Sequence, residues 1–227
     1  INPIKLESEK VFSGLLLLTK ERYVGILSDG KILMKGVDLV RKTACKYVQE
    51  RCRQILDMVL KDDKVKAAAQ ILSRRDPKES YTSGLPEGFL KIIKLLNTSY
   101  RDLVENKISI DHLTFSTELS RDIASYKTVN LPHLAVYKKI LARKEEPPQI
   151  HDRIPYVFIS SKNKLRKCEM AEDPTYVVQN NIQLATGLYF DKLIQGVANL
   201  IQCLFNNDST CAATILYNFL DVPSSVI

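Results

Sequence analysis

Three short blocks carry the residue types that could do chemistry. The first is Thr19-Lys20-Glu21-Arg22-Tyr23-Val24-Gly25, two cations and a ring beside a glycine. The second is Lys35-Gly36-Val37-Asp38-Leu39-Val40-Arg41-Lys42. Its glycine permits close backbone approach, and the apolar spacing after it predicts a helix that starts there. A helix N-terminus offers free N–H groups and a positive partial charge, so with flanking cations it suits phosphate. The third is Asp152-Arg153-Ile154-Pro155-Tyr156-Val157, a charged pair opening a strand. The chemistry on offer is anion binding. His112, His133 and His151 are far apart and lack a nucleophile partner. No phosphate loop, nucleophile elbow or cofactor fingerprint is present.

Charge distribution agrees. The net charge is +7, and residues 1–53 hold 11 basic and 6 acidic side chains. An uneven excess at one end suits an acidic partner met at one place, nucleic acid first. The bland alternatives are a solvated strand end for Lys20, Arg22 and Tyr23, and the wet face of a helix for Lys35, Arg41 and Lys42. The five cysteines, Cys45, Cys52, Cys168, Cys203 and Cys211, include no C-x-x-C pair. That argues against a zinc site and, with no secretory leader, for a reducing compartment. Cys45 and Cys52 fall on an apolar stripe and read as core. Apolar residues are 45% and charged residues 26% of the 227, an ordinary globular balance. The longest strong apolar run, Leu15 to Leu18, is far below the roughly 18 residues a membrane span needs, so no membrane is expected. The chain opens on Ile1 rather than Met and is read as a piece of a longer polypeptide.

The elements that must position these blocks follow from periodicity. Residues Lys5 to Leu18 read as a strand or buried segment, with all four leucines in the core. Tyr23–Leu27 and Lys31–Lys35 form a hairpin about Ser28-Asp29-Gly30, a strong turn signal. Apolar steps of three and four predict a long helix over Val37–Lys61. Further helices are expected over Lys64–Leu72, Pro86–Glu105, Leu131–Ala142, Tyr189–Phe205 and Thr210–Leu220. Short strands are expected at Leu113–Leu119 and Ile154–Ser160, and loops at Asp76–Gly84 and Ser161–Lys167. No internal repeat is visible.

Taken in order, these blocks resemble the C-terminal part of B-family DNA polymerases, most of all the catalytic subunit of herpesviruses, of betaherpesvirus type. Lys5 to Phe12 is similar to the family's "LExEK" lead-in, and Lys20 to Tyr23 falls at its Lys-Lys-x-Tyr block. Lys35 to Lys42 is similar to its "KGxDxVR" block. Leu119 to Lys144, with His133 and Leu141-Ala142-Arg143, resembles the thumb segment, as do Asp152 to Val157 and Ala171 to Val177. Glu21 departs from the family's second lysine and is set aside as a phosphate contact.

The resemblance implies an α+β fold, a mainly helical thumb preceded by a β-hairpin from the palm edge, with a few short strands in the thumb. Residues 1–36 would close the palm and 37–227 would form the thumb. It implies DNA-binding roles for Lys20, Arg22, Tyr23, Lys35, Gly36, Arg41 and Lys42. It also implies deoxynucleotide substrates, a primer–template duplex, a viral processivity factor near the true C-terminus, and work in the host nucleus. The intact parent would use Mg²⁺, but the Tyr-Gly-Asp-Thr-Asp block that holds it does not occur here. This chain alone is therefore expected to be inactive. The competing expectation is a stand-alone, non-catalytic module that binds nucleic acid or an acidic protein.

Overall fold

A computed structural model describes residues 8–37, 44–74, 86–128, 130–161 and 165–223. Three strands come first: β1 (Phe12–Thr19), β2 (Arg22–Leu27) and β3 (Ile32–Lys35). They pair antiparallel in the order β1-β2-β3. The turn at Asp29-Gly30 is as expected. Gly30 takes φ +82°, and the Asp29 carboxylate accepts the Lys31 N–H at 3.0 Å. That bond and the Lys31 ammonium hold the Asp29 carboxyl below its usual range.

The leucine run is not all core. A strand turns alternate side chains to opposite faces. Leu16 and Leu18 are buried, while Leu15 and Leu17 are 50% and 57% exposed. The strand also begins later than expected, since Ser8 to Val11 are not in it. The earlier part of the expected strand lies outside the described residues.

The helices α1 (Lys46–Lys61), α2 (Asp63–Ser73) and α3 (Glu87–Val104) follow. The long helix expected from Val37 therefore starts at Lys46. Cys45, just before it, is extended at φ −71°, ψ 152°, and Gly36 is left-handed at φ +67°. Neither geometry belongs to a helix, so the apolar step from Val37 arises from a buried loop position. The stripe itself is real from Val48 onward, with Cys52, Ile55 and Val59 buried. Burial drives the Cys45 thiol up to about 11 and the Cys52 thiol up to about 12, as expected of core cysteines.

Next come α4 (Ile110–Leu113), β4 (Phe115–Glu118), α5 (Pro132–Ala142), β5 (Arg153–Phe158), β6 (Ala171–Glu172) and α6 (Pro174–Gln179). The strands pair antiparallel as a second sheet, β4-β5-β6. The chain ends through α7 (Thr186–Ile201) and α8 (Ser209–Asn218). Short polar caps begin several helices: Asp62, Asp173 and Asp208 each accept backbone N–H groups of the following turn. α7 is the central post. Its Phe190, Leu193, Ile194 and Val197 are buried, and it packs against α1, α3 and α8. The Tyr189 hydroxyl, buried beneath β5, accepts the Phe158 N–H at 3.0 Å. The fold class is α+β, as expected. The expected loop at Asp76–Gly84 lies outside the described residues, and α6 was not legible in the spacing. No helix among the described residues is long and apolar enough to cross a membrane.

α3 meets the start of α2 with no room for a side chain. A Cβ on Gly88 would stand 2.5 Å from the Lys64 carbonyl carbon and oxygen, and 2.7 Å from the Val65 nitrogen. Gly88→Ala is expected to lower stability by about 2 kcal/mol, because both contacts are backbone and cannot rotate away. Urea unfolding of the chain measures it.

Candidate nucleic-acid interface

The sheet gathers most of the candidate residues at one end. Lys20 and Glu21 form the β1–β2 turn, and both are exposed. Thr19 pairs with Arg22, and Leu17, Tyr23 and Lys35 lie in register across the three strands. Lys20, Arg22, Tyr23, Lys35 and Gly36 thus share the end opposite the Asp29-Gly30 turn.

Strand alternation divides this group. Tyr23 and Lys35 stand on the outer face with exposed Leu17, and the Tyr23 ring meets Phe12 edge-on at 5.8 Å. Arg22 stands on the other face and lines a cleft toward α1 and α7. Among the described residues nothing pairs with the Arg22 guanidinium or the Lys20 ammonium. Two cations without a partner among the described residues thus stand within three residues of each other.

Gly36 locks this end together. Its φ of +67° is one that side-chain-bearing residues rarely adopt. A Cβ there would lie 2.7 Å from the Glu21 carbonyl oxygen and 3.0 Å from Arg22 Cγ. The close approach expected of Gly36 is therefore present, but between two parts of the chain itself. The expected phosphate-facing helix N-terminus beside Lys35 is not: α1 begins at Lys46. Asp38, Arg41 and Lys42 lie outside the described residues.

The third block has a structural job. Arg153 donates to the Ser116 hydroxyl at 3.0 Å and the Ser116 carbonyl at 2.7 Å, tying β5 to β4. Asp152 accepts the Gln149 N–H at 2.7 Å. His133 is buried against Tyr126, and desolvation lowers its pKa.

A second cluster joins two blocks that are about thirty residues apart. Arg143 donates to Glu172 at 2.9 Å, and Lys139 pairs with the same carboxylate at 3.1 Å. The Arg143 guanidinium also lies 4.1 Å above the Tyr176 ring. Lys139 reaches on to the Ala171 carbonyl at 2.7 Å. Burial alone would raise the Glu172 carboxyl. The Asp173 N–H, Arg143 and Lys139 outweigh it and hold the carboxyl below its ordinary value. Sequence reasoning marked both blocks but did not find this hub. The available signal was an acidic pair, Glu172-Asp173, directly after apolar Met170-Ala171.

Among the described residues no group of three or more His, Cys, Asp or Glu could hold a metal ion.

Comparison with known proteins converges on one family. The family model "DNA polymerase family B" matches residues 1–204. The DNA polymerase catalytic subunit of Saimiriine herpesvirus 2 (strain 11) is 63% identical over 223 residues, covering 97% of this chain and 22% of that protein. The subunit of Human herpesvirus 8 type P (isolate GK18) is 60% identical over 222 residues, covering 98% and 22%. That of Human herpesvirus 7 (strain JI) is 41% identical over 208 residues, covering 90% and 21%. The chain thus spans about a fifth of these relatives' length. In fold it is similar to the family B DNA polymerase of the hyperthermophilic archaeon Pyrobaculum calidifontis. That match has a TM-score of 0.62 and 19% identity, covering 86% of this chain and 22% of that one. The chain belongs to DNA polymerase family B, the family that its ordered blocks resemble.

Proposed function

We propose that this chain is the C-terminal portion of a DNA-directed DNA polymerase that replicates viral DNA. Its own task is to hold the primer–template duplex. The observation that carries this reading is the gathering of Lys20, Arg22, Tyr23 and Lys35 around Gly36 at one end of the sheet. Phosphate contacts position a duplex without reading its sequence, which suits an enzyme that must copy every sequence. In this reading residues 1–36 are the palm edge and 37–227 the thumb, and Arg41 and Lys42 extend the same grip.

Nucleotide addition requires two Mg²⁺ ions held by carboxylates. The proposal assigns those ligands and the deoxynucleotide site to other parts of the polypeptide, so this portion alone makes no DNA. The likeness to herpesvirus subunits supports work in the host nucleus and a viral processivity factor docking near the true C-terminus. Two features favour this reading over a stand-alone module: the ordered blocks, and the length of the relatives, of which the chain spans about a fifth.

The test is salt-dependent binding of the intact polypeptide to a primer–template, followed by fluorescence anisotropy. Log K falls linearly with log salt, by about 0.9 per phosphate neutralised. Lys20→Ala combined with Arg22→Ala is expected to flatten that slope by about 2. An unchanged slope removes these two from the interface.

A further inference from the structure

The inner face of the sheet end is one wall of a cleft, and α1 and α7 form the other. The cleft holds about 280 Å³. That is near the lower end of small-molecule sites, which run from about 300 to 1,000 Å³. Its floor is apolar: Val37, Val48, Cys52 and Leu200 line it. Gly196 lets α7 close on α1 at the base, where a Cβ would lie 3.1 Å from the Cys52 sulfur. Arg22 from the sheet and Asn199 from α7 also line it. Cys52 is not a reactive group, since burial keeps it a neutral thiol. The cleft therefore presents an apolar slot bordered by one cation, Arg22, which has no partner among the described residues, and by the amides of Asn199, Gln49 and Gln202. It differs in kind from the outer sheet face, where Lys35 and Tyr23 stand.

We propose that this cleft binds a compact organic monoanion, a flat ring of about naphthalene size bearing one carboxylate. The ring lies on Val48 and Leu200, and the carboxylate faces the Arg22 guanidinium, which suits it because the planar fork matches two oxygens. The Asn199 amide completes the mouth. Such an occupant bridges the strand end that carries Lys20 to Tyr23 and the α1–α7 pair.

The test is equilibrium dialysis of 2-naphthoate against the intact polypeptide that carries this chain. Saturable binding at one site is expected, with a dissociation constant on the order of 1 mM or tighter. The neutral isostere 2-naphthamide is expected to bind about 10-fold more weakly, having lost the charge-assisted contact. Arg22→Gln should bring 2-naphthoate to the level of the amide and leave the amide unchanged. Asn199→Trp should plug the mouth and abolish both, and Thr19→Trp does the same from the opposite wall if the first variant fails to fold. The proposal is overturned by absence of saturable binding. It is equally overturned by binding that survives both plugs, or by equal affinity for acid and amide. Arg22 also belongs to the proposed duplex grip, so Asn199→Trp separates the two readings: it leaves Lys20 and Arg22 in place and should abolish 2-naphthoate binding with duplex affinity unchanged.

Discussion

Glu172→Gln is expected to destabilise the fold by about 3 kcal/mol. Its side chain is only 7% exposed and accepts from Arg143, Lys139 and the Asp173 N–H. Glutamine keeps the shape and removes the charge. Arg143 would keep the Glu145 carboxylate at 2.9 Å but face a neutral amide in place of Glu172, and among the described residues its Nη2 has no hydrogen-bond partner. Removing one member of a buried ion pair costs about 3–5 kcal/mol. The lower end applies here, because Lys139 is 32% exposed and water can take up part of its charge.

The sign with pH follows from the direction of the shift. The folded Glu172 carboxyl lies below the ordinary value of 4.5. Its contribution is therefore complete above that value and is lost as pH falls through the folded pKa. Urea titrations at successive pH values should show stability of the parent chain declining below about pH 4.5, and part of that decline should vanish in Glu172→Gln. Parallel decline in both proteins would show that the hub contributes nothing.

Much of this was legible in the sequence because each residue obeyed a local rule. Asp29-Gly30 named its turn, since a left-handed position after an acid is a local matter. Val48, Cys52, Ile55 and Val59 named their helix by spacing alone. The failures share a cause. Val37 fits the same spacing, yet Cys45 is extended before α1 begins. Periodicity cannot see a break that leaves the apolar step intact. Leu15 and Leu17 belong to an apolar run, but the two faces of a strand face different surroundings, and a run does not say which is covered. The Arg143–Glu172 pair required knowing that α5 and β6 are neighbours, which no short window holds. The division of Arg22 from Tyr23 onto opposite faces was available in principle. Adjacent strand residues always alternate, so a site drawn from Lys20, Arg22 and Tyr23 had to have two sides.

Gly36→Ala is expected to harm both stability and duplex binding, and Gly30→Ala separates the two effects. Both glycines have positive φ, +67° and +82°. A side chain in that region costs about 1 kcal/mol or somewhat more in strain. At Gly30 nothing lies within 4 Å of the added Cβ, so strain is the whole cost. At Gly36 the Cβ also meets the Glu21 carbonyl at 2.7 Å, and that oxygen belongs to backbone. The β1–β2 tip must then move away from β3, carrying Lys20 and Arg22 with it and breaking their alignment with Lys35. A total cost of about 3 kcal/mol is expected at Gly36, against about 1 kcal/mol at Gly30. Duplex affinity of the intact polypeptide should fall about 10-fold for Gly36→Ala, equivalent to one or two lost phosphate contacts, with a shallower salt slope. Gly30→Ala, at the far end of the sheet, should leave both affinity and slope unchanged. Equal losses from the two substitutions would trace the effect to general weakening of the sheet. A loss confined to Gly36→Ala would assign it to the cationic tip.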